Sequence, residues 1–322
     1  MEKSESDFWW GIKGICILAV IGIHSFMNTE ITVKVVWIRQ FINFPVILFV
    51  FLAGYFVKID QVSADWKGWI QKRFIRIVGP YLLCSFFYLL YSYFVKGSNL
   101  NYKGVIASLV LGTSNVQMYY CIVMLQLILL TPVLVKYQSK RWIYWGCFLI
   151  TFLSLILIYL KIAINSFCGV WLSFYVYGMY CAKVRQASQR EPLKKALSLL
   201  VGAAIFVAAE TWAMWNTEAY YRYSISQVRV SNFVLGFALI KILLPVSKMD
   251  IKCSKGLIFI GRRSFAIYLI HMFVMDTLLF FSPDLHYLVV WIVTVAASCA
   301  LCFAVVPLFE RLRRLMKCKK PV

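Results

Sequence analysis

The sequence predicts an all-α polytopic membrane protein with about ten transmembrane helices and both termini in the cytoplasm. Three observations predict it. Of the 322 residues, 62% are hydrophobic and only 15% charged, against about 25% charged in a soluble domain. Apolar runs of roughly 20 residues, the length a helix needs to cross a bilayer, recur along the whole chain. The basic residues fall in alternate connections, as the positive-inside rule requires. The runs are continuous and do not alternate as barrel strands would, so helices are the economical solution.

The predicted spans are 8–27, 41–57, 75–95, 116–135, 142–160, 167–182, 196–215, 228–246, 257–281 and 288–308. A transmembrane region over 1–310 is expected, followed by a basic cytoplasmic tail over 311–322. With the N-terminus inside, the cytoplasmic connections and the tail hold 24 Lys and Arg, and the opposite loops hold seven. The net charge of +21 therefore reports orientation, and a nucleic-acid partner is not expected. The segment 104–113 is too short to cross and is read as re-entrant or interfacial. Counting it as a span would also place the basic tail outside. No cleavable signal peptide is expected, because the first apolar segment is too long and lacks a small-residue cleavage site.

The first span, WWGIKGICILAVIGIHSFM, carries Lys13 and His24. Eleven residues apart, they differ by only about 20° around a helix and by roughly 16 Å along it. One helix face thus presents a cation near one end and an imidazole near the other. An ionisable group inside a span is costly and is by default a functional hypothesis; a snorkelling lysine and an interfacial histidine are the plain alternatives.

In the second span, Gly54 would allow close helix contact. Lys72, Arg73 and Arg76 converge within one turn at the start of the third span, with Arg73 and Arg76 on one face at i, i+3. They suit either a topological anchor or a clamp on a phosphate-bearing ligand, since guanidinium forks match phosphate oxygens. Tyr119–Tyr120 suits an aromatic belt, and the polar stretch 216–227 suits sugar stacking. Glu210 and Asp276 are carboxylates within the seventh and ninth spans. Ser264, Tyr268 and His271 form one stripe at i, i+4, i+7, suited equally to substrate contact and to packing. Glu310 can pair with the basic tail. The pair Cys299 and Cys302 lies in an apolar helix without His or carboxylate nearby, so packing is expected and no metal.

These residues, taken in order, resemble a known family. The Lys13-x10-His24 helix, NFPVILFVFLAGYF, KRFIRIVGPY with Arg73-x-x-Arg76, MYYCIVMLQLILLTPVL and GRRSFAIYLIHMFVM are similar to the acyltransferase 3 family of bacterial integral-membrane O-acyltransferases. Each motif alone is weak, because apolar helices look alike; the ordered set spans nearly the whole chain. The sequence departs from the family at Ala53-Gly54, where Ser-Gly is usual, and at Tyr119 or Tyr120, where Trp is common. It looks like the short, stand-alone form without an esterase-like domain.

The resemblance implies transfer of an acyl group, acetyl first, from cytoplasmic acyl-CoA to a hydroxyl of a surface or lipid-linked glycan, at the bacterial cytoplasmic membrane. It implies no permanently bound cofactor, with acyl-CoA as co-substrate. It carries the basic-x10-His motif onto Lys13 and His24 and the Arg-x-x-Arg motif onto Arg73 and Arg76. His24 is then the base, and Lys13, Arg73 and Arg76 hold the donor's phosphates. Glu210 or Asp276 is a candidate to orient the imidazole, and Tyr268 and His271 are candidates to contact substrate. The rival readings are a transporter or flippase of a small solute or lipid-linked sugar, and a scaffold in polysaccharide assembly.

Overall fold

The computed structural model describes residues 3–26, 29–162, 165–184, 193–217 and 223–317, without the side chains of 193 and 305–317. Fourteen α-helices follow one another in the described residues, without strands. They are α1 (Lys3–Ser25), α2 (Val33–Ile42), α3 (Pro45–Tyr55), α4 (Ile59–Ala64), α5 (Trp66–Phe94), α6 (Tyr102–Leu111) and α7 (Tyr119–Tyr137). Then come α8 (Arg141–Tyr159), α9 (Leu172–Val184), α10 (Leu193–Trp215), α11 (Val230–Val246), α12 (Lys255–Arg262), α13 (Ser264–Phe281) and α14 (Tyr287–Lys317). Among the described residues, nine stretches are long and apolar enough to cross a membrane. The protein is an all-α polytopic membrane protein.

Five boundaries differ from the sequence expectation. The second span is broken at Asn43–Phe44, and Pro45 opens α3, a position where its missing N–H costs nothing. The third helix starts at Trp66, well before residue 75, because the Asp65 side chain accepts from the Gly68 backbone N–H at 2.9 Å and caps it. The basic cluster at 72–76 therefore lies in the second and third turns of the helix rather than at its start. The ninth span is two helices, parted at Arg263. The sixth, 167–182, is a 3-10 turn (Cys168–Trp171) followed by the 13-residue α9, and it is not among the nine. The short helix α6 has ten residues, about 15 Å of rise, in keeping with an element that does not cross. The tenth span continues as helix through Lys317. The expected pairing of Glu310, residues 185–192 of one connection and 218–222 of the tyrosine-rich stretch lie outside the described residues.

The chain divides into two compact units. The first joins the two ends of the sequence, Met1–Val35 with Asp250–Val322, and the second is Val36–Met249. In the first unit α1 packs on α12, α13 and α14. A methyl group on Gly14 would run into the Leu257 carbonyl, and one on Gly261 into the Trp10 carbonyl, so α1 and α12 touch backbone to backbone. The ends are tied by Ser4 Oγ donating to Asp250 (3.0 Å), Arg262 pairing with Asp7 (3.3 Å) and Trp291 Nε1 donating to the Leu18 carbonyl (2.9 Å). In the second unit the buried helices α3 and α9 pack on each other. Gly54 faces the Tyr175 carbonyl and Gly178 the Phe51 carbonyl, each too close for a side chain. Small residues at membrane helix contacts serve this end.

Candidate active site

The first unit contains Lys13, His24, Tyr268, His271 and Asp276; the second contains Arg73, Arg76 and Glu210. In the first unit, α1 is unbroken from Lys3 to Ser25, so the phase that joins Lys13 to His24 is realised. Both are half-buried. The Lys13 ammonium lies 4.6 Å from the Trp10 ring centroid, a cation–π distance. The His24 ring faces that of His271, centroids 5.4 Å apart and planes at 43°.

His271 is wholly buried on α13. Its Nδ1 lies 2.7 Å from the Tyr268 carbonyl and 3.3 Å from that of Ile267. Tyr268 is buried too, its ring centroid 5.7 Å from that of His271, as is Ser264. The stripe read at i, i+4, i+7 is thus an inward face, and it brings a second imidazole to His24. Asp276, half-buried, is five positions beyond His271 and so about 140° away around α13.

In the second unit, Arg73 is half-buried and stacked on Trp69, its guanidinium carbon 4.6 Å from the ring centroid. Trp69 is buried one turn earlier on α5. Arg76, in the following turn, is exposed. The two are therefore unlike: Arg73 is pre-oriented by an aromatic shelf, and Arg76 is free to reach. A cavity of about 500 Å³ in this unit is bounded by Trp66, Pro132, Val133 and Lys136, and neither arginine lines it.

Glu210 belongs to a different arrangement. Its Oε1 accepts from the Tyr159 hydroxyl at 2.7 Å, its Oε2 from the backbone N–H and hydroxyl of Ser231, and Arg229 Nε lies 3.7 Å away. Arg229 is fully buried and also donates to Gln40 Oε1 (2.6 Å), Thr211 Oγ1 (3.0 Å) and the Ser224 carbonyl (3.3 Å). Both carboxylate oxygens are thus engaged in holding α2, α8, α10 and α11 together. By charge distribution alone Arg229 counts among the seven basic residues of the exterior loops. The available signal was an arginine and a glutamate in the spans that flank one loop, which cannot be buried cheaply except as a pair. Asn232, one of the polar groups at the same end, donates to the Ser226 carbonyl at 3.1 Å and fixes that loop. The Tyr119 hydroxyl accepts from Gln227 Nε2.

A family model described as an acyltransferase domain, that of the acyltransferase 3 family, matches residues 7–308. The chain belongs to the acyltransferase 3 family. It is accordingly a multi-pass membrane acyltransferase. No curated protein and no solved structure matches it significantly. Among the described residues no cluster of three or more His, Cys, Asp or Glu side chains could hold a metal ion.

Proposed function

We propose that this acyltransferase moves an acyl group, acetyl in the first instance, from cytoplasmic acyl-CoA to a hydroxyl of a surface or lipid-linked glycan at a bacterial cytoplasmic membrane. The family match over 7–308 carries the reading. It is supported by an imidazole within a span, where an ionisable group is rarely idle. Attack by a sugar hydroxyl on a thioester needs a base that works near neutral pH, which histidine supplies.

In this reading His24 takes the hydroxyl proton as the oxygen bonds to the thioester carbonyl carbon. The tetrahedral intermediate collapses with cleavage of the C–S bond, and the proton on His24 passes to the departing thiolate. Lys13, Arg73 and Arg76 serve the phosphates of the donor: fork-shaped guanidinium groups match phosphate oxygens in two-point contacts.

The test has two parts. Mass spectrometry of surface and lipid-linked glycan from cells with and without the protein should show one added acyl mass on a sugar. His24→Ala should insert normally and lose activity by about 10²-fold or more. Full activity in His24→Ala removes the base assignment. Movement of a labelled solute or lipid-linked sugar with no chemical change would replace the whole reading with a transporter.

A further inference from the structure

His271 has one nitrogen accounted for and one left over. Its Nδ1 contacts two backbone carbonyl oxygens, at 2.7 and 3.3 Å. A carbonyl can only accept, so Nδ1 carries the hydrogen. A neutral imidazole protonated there has a bare lone pair at Nε2. That atom is buried and has no hydrogen-bond partner among the described residues. A buried acceptor left unmade is destabilising, and an unmatched imidazole nitrogen beside a second imidazole calls for an explanation.

Two polar rings neighbour that of His271, that of Tyr268 from its own helix at 5.7 Å and that of His24 from α1 at 5.4 Å between centroids. An N–H···N bond of about 2.9 Å between two imidazoles places their centroids roughly 5 Å apart. The separation of the two imidazoles is therefore close to that of a bonded pair, and hydrogen bonds of a reacting centre commonly tighten only when substrate binds. The direction of the bond is fixed in advance. Because His271 has only a lone pair to offer, His24 must donate. Met272 and Met275 of α13 are buried and apolar.

We propose that His271 is a positioning residue for His24, accepting its ring N–H at Nε2; the inference rests on the acyl-transfer reading above. The contact places the His24 hydrogen on the nitrogen that faces His271, so that the other nitrogen is the unprotonated one that serves as base for the acceptor hydroxyl. When that nitrogen takes the hydroxyl proton, the ring becomes an imidazolium and its bond to His271 becomes charge-assisted and stronger. His271 keeps its own proton throughout. A neutral acceptor does here what a carboxylate does in a serine hydrolase triad, without burying a second charge.

The test compares His271→Leu, apolar and of similar bulk, with His271→Gln, whose amide oxygen can accept near the Nε2 position. Membranes holding the full-length protein are supplied with radiolabelled acetyl-CoA, with the cells' own glycans as acceptor. His271→Leu should lower kcat by about 10²-fold with KM for acetyl-CoA within about threefold, and His271→Gln should regain about tenfold or more. Both variants should melt at the same temperature in detergent. Wild-type kcat in His271→Leu, equal losses in the two variants, a deficit confined to KM, or activity that follows melting temperature would each overturn the inference and leave the acyl-transfer reading standing. A wild-type protein that transfers no label would overturn both.

Discussion

At the residue scale, two arginines show how little residue type says without surroundings. Arg73 rests on Trp69 as a ligand-binding guanidinium would, whereas Arg229 is sealed within the protein by Gln40, Thr211, Ser224 and Glu210. Arg73→Lys keeps the charge and loses the two-point fork. It should raise KM for acetyl-CoA about tenfold, the worth of one charge-assisted hydrogen bond, as read by initial rates at varied donor. Arg229→Leu should instead act on stability. Removing one partner of a buried pair strands the other, at a cost of about 3–5 kcal/mol, seen as a lower melting temperature in detergent. The double variant with Glu210→Leu should recover part of that loss. No recovery would mean that the bonds to Gln40 and Thr211 outweigh the ion pair. The sequence made Lys13, His24, Arg73 and Arg76 visible as candidates, because charge inside or beside an apolar run stands out. It could not separate the two kinds of arginine, since the partners of Arg229 lie as far away as Gln40, 189 positions along the chain.

At the scale of the element, the contacts between helices are set by glycine. In a helix, glycine is worse than alanine by about 0.5–1 kcal/mol, so an exposed helical glycine should gain from Gly→Ala. Gly202 on α10 has no atom near a built Cβ, and Gly202→Ala should be neutral or stabilising. Gly54 faces the Tyr175 carbonyl, backbone that cannot turn aside as a side chain can. Gly54→Ala should therefore lower the melting temperature despite its better propensity, overpacking costing typically about 1–3 kcal/mol. Equal melting of the two variants would show that α3 and α9 can separate without cost. Propensity explains which helices exist, but it does not explain where they stop. The break before α3 was signalled by Pro45. The early start of α5 was signalled by Asp65 three residues before Gly68. The break at Arg263 had no such local mark: there Gly261 lies against the Trp10 carbonyl, and Arg263 stacks on Phe259 at 3.9 Å.

At the scale of the whole molecule, charge distribution and chain connectivity carry different information. The basic bias predicts that the connections at 136–141 and 248–254 face the cytoplasm and those at 96–101 and 282–286 the outside. Single cysteines placed there in a cysteine-free background should react with an impermeant maleimide in spheroplasts only at the second pair. Labelling at the first pair instead would invert the orientation. Connectivity, by contrast, closes the first unit from the two ends of the chain. The imidazole of α1 is thereby brought to face one of α13, 247 positions later.

The sequence by itself determined that the chain crosses a membrane many times, which residues break the apolar pattern, and the family that their order matches. These are properties of each segment against its solvent, and a bilayer imposes them locally, so composition and spacing suffice to read them. Only the tertiary structure decided that His24 faces His271, that Glu210 is taken up by Arg229, Tyr159 and Ser231, and that α9 is a short buried helix. Those are choices among neighbours. In hydrocarbon one apolar helix face resembles another, so partners are selected by close backbone approach and by the pairing of a few buried polar groups, and both depend on residues far apart in the chain.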